Sequence, residues 1–266
     1  MKDDNRPKPF ESGIKKLLRN QDWLGAIQQN LLVQAQKSIR PEDFRKEIRA
    51  QLWFRGMYDR ETYISEAHDK TFEWVFEGQE HSRRLHLSRA DFATWLQDNR
   101  PIYWITGKPG SGKSTLMKFL TRHADTKQCL SKWASGTELV TFSFYFWNSG
   151  SNLQKSPEGL LRTFLFQALE AKPELADAIF PRRLATWAMH QSSLSFPLTP
   201  IGAFSWTKAE LIEAFEKLWL GTAETSKMCL FIDGLDEFDG DPMELVELIQ
   251  RVKSPNIKIC ISSRPW

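Results

Sequence analysis

The chain has 266 residues, of which 41% are hydrophobic and 26% charged, and this composition excludes a protein that is disordered throughout. Its net charge of +3 is uneven: residues 1–60 hold 13 Lys/Arg against 8 Asp/Glu, and the remainder holds 23 against 25. This basic excess fits a solvated helix face, or a surface for an acidic partner or a membrane. No apolar run reaches the roughly 18 residues of a membrane span, and residues 1–10 lack the apolar core of a secretory signal.

The first quarter of the chain shows two amphipathic patterns. Leu24, Ile27, Leu31 and Ala35 follow helical spacing, and so do the apolar residues at 44, 48 and 52, after which a helix should end near residue 56. Each predicted helix has a single apolar stripe, so both must pack on another part of the protein. We interpret residues 1–55 as a helical N-terminal segment, and the last helices of an effector module are one interpretation of it.

Residues 56–101 form a predicted helical connector. Ser88 has the character of a helix N-cap, and Phe92, Trp95 and Leu96 lie on the helix that it should begin. The helix should end before Pro101.

Residues 102–266 have the sequence pattern of an α/β domain. Apolar runs at 102–106, 138–148, 227–233 and 257–262 predict strands. Between them, the patterns at 159–171 and 242–252, and a capping box of Thr207 with Glu210, predict helices. Strands that alternate with helices indicate a parallel sheet. Residues 181–205 are rich in Pro, Ser and Phe, which predicts a long loop or insertion.

Three cysteines, Cys129, Cys229 and Cys260, show no CxxC spacing, and two of them lie in or beside apolar runs. They are expected to be reduced core thiols of an intracellular protein, and we expect a cytoplasmic location.

A glycine loop, "GKPGSGKST", follows the first apolar run and opens an amphipathic helix. It satisfies the phosphate-loop pattern G-x-x-x-x-G-K-[ST] at every fixed position, in the strand–loop–helix context that the pattern requires. Its glycines should adopt positive φ and let consecutive N–H groups approach a phosphate. The lysine should reach the β and γ phosphates, and the serine after it should ligate Mg²⁺. The predicted nucleotide-binding residues are Gly107, Lys108, Pro109, Gly110, Ser111, Gly112, Lys113, Ser114 and Thr115.

An acidic cluster follows the third apolar run, in "KMCLFIDGLDEFDG". Asp233 stands at the carboxyl end of the predicted strand, where open α/β sheets bind ligands, and it should hold Mg²⁺ opposite Ser114. Asp236 and Glu237 lie close enough in sequence to orient and polarise a water beside a metal-bound phosphate.

These motifs, together with "ICISSRPW", "AHDKTFEWVFE" and "FYFWNSGSNLQKSPEGLLRTFLFQAL", resemble the NACHT NTPases of the STAND signalling class. The likeness covers about residues 50–266 and is greatest to fungal NOD-like proteins with a nephrocystin-like N-terminal NTPase segment. It implies a three-layer α/β/α P-loop fold with strand order 5-1-4-3-2. It also implies bound ATP or ADP with Mg²⁺, and a switch between an ADP-held resting state and an ATP-bound assembling state.

The resemblance implies individual roles as well. Asp233 becomes the magnesium acid, Asp236 and Glu237 the pair linked to hydrolysis, and Arg264 the residue that senses the γ-phosphate. Fungal relatives often carry an effector module before this segment and ankyrin, WD or similar repeats after it. The chain departs from the pattern because it stops at residue 266, and we expect it to lack the fifth strand, the lid and the winged-helix region.

Several alternatives stay open at this stage. Loss of the lid makes a nucleotide-binding scaffold without turnover credible, because phosphoryl transfer usually needs closure that excludes water. The acid pair, and the absence of any recognisable acceptor site in residues 148–157, argue against a small-molecule kinase. The slightly acidic NTPase part argues against nucleic-acid translocation. Protein partners or self-association through the NTPase core and N-terminal helices are expected, with no nucleic acid.

Overall fold

The computed structural model describes residues 40–68, 71–76, 92–192, 205–222, 225–251 and 254–265. The helix predicted over residues 22–37 and the predicted N-cap at residue 88 lie outside this part of the chain. None of the helices described there is long and apolar enough to cross a lipid bilayer.

Helices and strands alternate along most of the described chain. In order, the elements are α1 (Pro41–Leu52), α2 (Asp59–Tyr63), α3 (Phe92–Gln97), β1 (Ile102–Thr106), α4 (Lys113–Arg122), α5 (Ala124–Ala134), β2 (Glu138–Tyr145), α6 (Pro157–Ala171), α7 (Leu175–Ile179), α8 (Pro181–Ser192), α9 (Lys208–Thr222), β3 (Ser226–Asp233), α10 (Pro242–Arg251) and β4 (Ile257–Ser263). Short 3₁₀ turns lie at Glu73–Val75, Asn152–Lys155 and Leu235–Glu237.

The four strands form one parallel sheet in the order β1-β4-β3-β2. This order confirms the predicted 1-4-3-2 arrangement. Ile102 of β1 pairs with Ile259 of β4, and Met228 of β3 pairs with Ile257. Because all the strands run in the same direction, their carboxyl ends meet at one edge of the sheet.

The sheet is the middle of three layers, as predicted for an α/β/α fold. One face packs against α1, α6, α9 and α10, with Ile259 and Leu230 among the strand residues in that core. The opposite face packs against α3, α4 and α5, with Phe231 and Cys260 in its core. Alternation of strand side chains between the two cores explains why residues 228–232 of β3 and 259–261 of β4 are apolar on both faces of the sheet.

The helix α1 confirms the second amphipathic pattern of the N-terminal segment. Phe44, Ile48 and Leu52 are all buried in the same core as the sheet residues. The Arg162 guanidinium on α6 donates to the carbonyl oxygens of Leu52 and Gln51, at 3.1 and 2.9 Å, and so satisfies the end of α1.

The expectation of a long loop from residue 181 was wrong for its first part, because α8 covers Pro181–Ser192. Pro181 occupies the first helical position, where its missing N–H group is not needed. The apolar residues Leu184 and Trp187 face the core at helical spacing. The prediction gave too much weight to the proline and too little to this spacing.

The three cysteines are buried, as predicted. Burial raises the pKa of the Cys229 and Cys260 thiols, so both stay protonated and contribute to the core.

Candidate functional site

The predicted site residues converge on the carboxyl edge of the sheet. The glycine loop follows β1, Asp233 is the last residue of β3, and Arg264 comes directly after β4. Since β4 lies between β1 and β3, these segments are neighbours although they are far apart in sequence.

The glycine loop, Gly107–Thr115, is anchored to β4 at its start. The Gly107 N–H donates to the Ser263 carbonyl oxygen at 3.3 Å, and the Ser111 N–H donates to the Lys108 carbonyl oxygen at 3.2 Å. Gly110 and Gly112 have φ values of +71° and +81°, which side chains rarely tolerate. Gly112 then serves as the N-cap of α4, so the positive end of that helix faces the loop.

Gly107 corrects one detail of the prediction, because its φ is not positive. A Cβ atom at this position would lie 2.7 Å from the Ser111 hydroxyl oxygen, so that hydroxyl would have to rotate away. The positive φ that favours glycine is found only at Gly110 and Gly112 of the loop.

Lys113 begins α4, and its side chain folds back over the loop. Its ammonium group donates to the carbonyl oxygens of Gly107 and Lys108, at 2.7 and 3.0 Å. Ser114 and Thr115 follow in the same helical turn and are half-buried. A Cβ atom added at Gly110 would meet no atom of the described structure within 4 Å, so the outer side of the loop is open.

Asp233 is 1% exposed, which is unusual for a carboxylate. The Ser262 hydroxyl donates to its Oδ1 at 2.5 Å and in turn accepts the Gly234 N–H at 3.1 Å. Its Oδ2 is buried and has no hydrogen-bond partner among the described residues. Burial raises the pKa of Asp233, while the hydroxyls of Ser262 and Ser114 and the charge of Arg60 act in the opposite direction.

The residues at this point fit a hard divalent cation. The buried Oδ2 of Asp233 accepts no hydrogen bond among the described residues and so remains available as a ligand, and Ser114 supplies a second oxygen beside it. In the described residues there is no cluster of three or more His, Cys, Asp or Glu side chains that could hold a metal alone. This donor set is typical of Mg²⁺, which binds proteins through one or two oxygens and takes its other ligands from phosphate and water.

The two acids of the 3₁₀ turn face different partners. The Asp236 carboxylate pairs with Arg264, whose Nε lies 2.9 Å from Oδ2 and whose backbone N–H donates to Oδ1 at 2.8 Å. Arg264 is 54% exposed in this pair. The Glu237 carboxylate accepts the Asn148 N–H at 3.0 Å through Oε2 and the Arg60 guanidinium at 3.4 Å through Oε1. The structure thus brings Asp236 together with Arg264, and Ser114 together with Asp233.

Sequence reasoning missed four residues that build this edge, namely Arg60, Asn148, Ser262 and Ser263. The serines carry a usable signal, because two hydroxyls at the end of an otherwise apolar strand predict polar contacts at the sheet edge. Asn148 acts through its backbone and Arg60 lies in the connector, so neither has a local signal.

Phe72 borders the glycine loop from the connector. Its ring carbon would lie 3.9 Å from a Cβ at Gly112, and its ring packs on Phe119 of α4 at a centroid distance of 5.6 Å. The connector thus places an aromatic ring beside the glycine loop, at Phe72.

A parallel sheet in the order β1-β4-β3-β2, covered by helices on both faces and carrying a glycine loop after β1, has the architecture of a P-loop-like α/β/α protein. Comparison with protein families agrees with this class. The family described as Nephrocystin 3, N-terminal matches residues 81–264, which is well over half of the chain. The chain therefore belongs to the nephrocystin 3 N-terminal family. No curated protein sequence matches it.

Proposed function

We propose that the chain binds ATP and ADP with Mg²⁺ and acts as a slow NTPase switch of the NACHT/STAND type, in fungal signalling of the innate-immunity or incompatibility kind. The observation that carries this proposal is the position of the glycine loop beside a buried carboxylate with one unsatisfied oxygen. An acid in this state is costly to keep in a fold unless a cation completes it. Family membership supports the NTPase class.

Each residue has a role that follows from its chemistry. The backbone N–H groups of the glycine loop and the N-terminus of α4 would receive the phosphates, and Lys113 would exchange its two loop carbonyls for phosphate oxygens. Ser114 and Asp233 would hold Mg²⁺, which neutralises phosphate charge when bound. Glu237 would orient and polarise the attacking water, and Arg264 would leave Asp236 to contact the γ-phosphate.

A second candidate, a nucleotide-binding scaffold without turnover, is favoured by the openness of the site. The outer side of Gly110 is uncovered within the described structure, and Arg264 is half-exposed. Phosphoryl transfer is faster in sites that exclude water. Both candidates share the binding step and differ only in hydrolysis.

One experiment tests the proposal. ATP and ADP affinity is measured by calorimetry with Mg²⁺, and phosphate release is followed for the parent chain, Lys113→Ala and Glu237→Gln. We expect Lys113→Ala to abolish binding, whereas the exposed Lys127→Ala on α5 leaves it unchanged. Glu237→Gln should keep affinity within about twofold and stop hydrolysis. Retained affinity in Lys113→Ala would refute the phosphate-loop assignment, and a parent chain that binds ATP without turnover would favour the scaffold.

A further inference from the structure

Arg60, in the connector, contacts Glu237 of the acid pair although it precedes that residue by 177 positions. Its Nη2 is 3.4 Å from Glu237 Oε1, and its charge acts on Asp233 as well. The guanidinium also lies over the Trp147 ring, 5.9 Å from the centroid. Trp147 precedes Asn148, whose N–H donates to the other Glu237 oxygen. Arg60 therefore contacts Glu237 directly, at Oε1. It also contacts Trp147, the neighbour of the residue whose N–H donates to Oε2.

The helix α2 that carries Arg60 contributes no buried side chain. Polar contacts from neighbouring elements hold it in place instead. On one side, the Arg122 guanidinium at the end of α4 donates to Glu61 at 2.8 Å, and Lys118 of α4 donates to the carbonyl of Ile64, just after α2, at 2.7 Å. Because α4 begins at the glycine loop, α2 bridges the phosphate-loop helix and the acid pair.

On its other side, α2 is tied to the segment before it. The Gln154 amide donates to the Gly56 carbonyl at 2.8 Å, and Gly56 has a φ of +88°. Met57 and Ile64, which flank α2, are buried. The helix thus has a defined position without belonging to the core, and Arg60 is its one side chain that reaches Glu237.

Stability alone does not account for the ion pair. The Arg60 and Glu237 side chains are 25% and 20% exposed, and an ion pair of this length in partial contact with water contributes little to folding. The Arg60 Nε is buried with no hydrogen-bond partner among the described residues. An arrangement that leaves a buried donor unsatisfied is expected where a side chain serves a site rather than the fold.

We infer that Arg60 is a positioning residue for Glu237, and that through it the connector sets the geometry of the acid pair relative to the glycine loop. The inference rests on the proposed hydrolysis. With Oε1 facing Arg60 and Oε2 facing the Asn148 amide, the carboxylate keeps one orientation and still has lone pairs for a water. Loss of Arg60 releases one of these two contacts and leaves the phosphate contacts in place.

The test measures kcat and the Kd for ATP separately in Arg60→Gln. We expect kcat for ATP to fall about tenfold or more, because small displacements of catalytic groups are costly, while the Kd for ATP with Mg²⁺ changes less than about twofold. Arg60→Lys, which retains the charge but not the planar fork, should recover part of kcat. The exposed Arg55→Gln, five positions earlier and directly before the connector, is the matched control and should behave as the parent.

The outcomes separate this inference from the proposed function. A parent chain that hydrolyses ATP, with Arg60→Gln equally active, overturns the inference alone. Loss of ATP affinity in Arg60→Gln also overturns it, because the residue would then bind nucleotide. A parent chain without turnover overturns both the hydrolytic function and the inference. If Arg60→Gln does not fold, Arg60→Lys decides: reduced kcat at unchanged Kd supports positioning, and unchanged kcat refutes it.

Discussion

Asp233 carries the largest electrostatic cost at the site. Its side chain is almost completely buried, one of its oxygens lacks a donor, and burial raises its pKa above the ordinary value of 3.8. A charge kept in this state opposes folding. Under the proposed function, the same unsatisfied oxygen is the one that would bind the cation.

This cost predicts that Asp233→Asn stabilises the nucleotide-free chain. An acid whose pKa is raised by folding contributes stability that is complete below its unfolded pKa and lost as pH rises through its folded pKa. The amide removes that loss, so we expect a gain of about 1–2 kcal/mol at about pH 8 that shrinks as the pH falls toward about 4. Urea unfolding at the two pH values measures it.

The exposed Glu247→Gln on α10 serves as the control and should change stability by less than about 0.5 kcal/mol at either pH. Equal or lower stability of Asp233→Asn at the higher pH would contradict the prediction. The same variant should lose Mg²⁺-dependent nucleotide affinity, so greater stability would accompany loss of the proposed function.

At the scale of elements, Arg162 of α6 holds the segment that leads from α1 into the connector. Its guanidinium donates to the carbonyls of Leu52 and Gln51 and, at 3.0 Å, to that of Trp53. Burial lowers the pKa of Arg162, with Glu158 acting in the opposite direction. One side chain thus satisfies three carbonyls where α1 ends, and replaces the usual cap.

We expect Arg162→Met to lower the free energy of unfolding by about 1–2 kcal/mol, because the partly buried Leu52 carbonyl loses its side-chain donor while the aliphatic packing is kept. The Gln51 carbonyl still accepts the Trp206 indole N–H at 2.9 Å. Urea unfolding monitored by far-ultraviolet circular dichroism measures this loss. Arg251→Met, the same substitution in an ion pair that is 55% exposed on the arginine side, should change stability by less than about 0.5 kcal/mol. Equal effects of the two substitutions would show that the carbonyl contacts do not hold α1.

The strands and α4 could be predicted from the sequence, whereas some of the contacts between elements could not. Apolar runs located all four strands, and the glycine loop located α4, because burial on both faces and the phosphate-loop pattern are local signals. Lys258 shows the limit: it is the second residue of β4 and is buried, and its ammonium donates to the carbonyls of Trp95 and Arg100. The Trp95 carbonyl that accepts from Lys258 belongs to α3, which is far from β4 in sequence, just as Arg60 is far from Glu237. The periodicity of the sequence gives no sign of contacts of this kind.

At the scale of the whole molecule, β1 lies at one edge of the sheet in the described structure. Ile102 and Trp104 are 39% and 49% exposed and line a groove of about 590 Å³ with Leu235, Phe238, Val246 and Ile249. An apolar strand with unpaired backbone groups favours pairing with another chain. The sequence already indicated this edge through the predicted strand order.

We predict that the 266-residue chain associates with a second copy through this groove. Light scattering at high protein concentration should give a mass above that of one chain, and Val246→Lys, on the exposed side of α10, should return it to a monomer. Leu220→Lys on α9 is the control, since Leu220 is 62% exposed but lies outside the groove. A monomeric parent chain, or equal effects of the two variants, would refute the prediction.

The two adjacent serines of β4 have a consequence for how the molecule moves. The Ser262 hydroxyl engages the tip of β3 at Asp233, while Ser263 engages β1 through its hydroxyl, which accepts the Trp104 indole N–H at 2.9 Å, and the glycine loop through its carbonyl. The carboxyl ends of β1, β3 and β4 are thereby joined through two adjacent residues. We expect these three ends to move together, so that a rearrangement at one of them is transmitted to the other two.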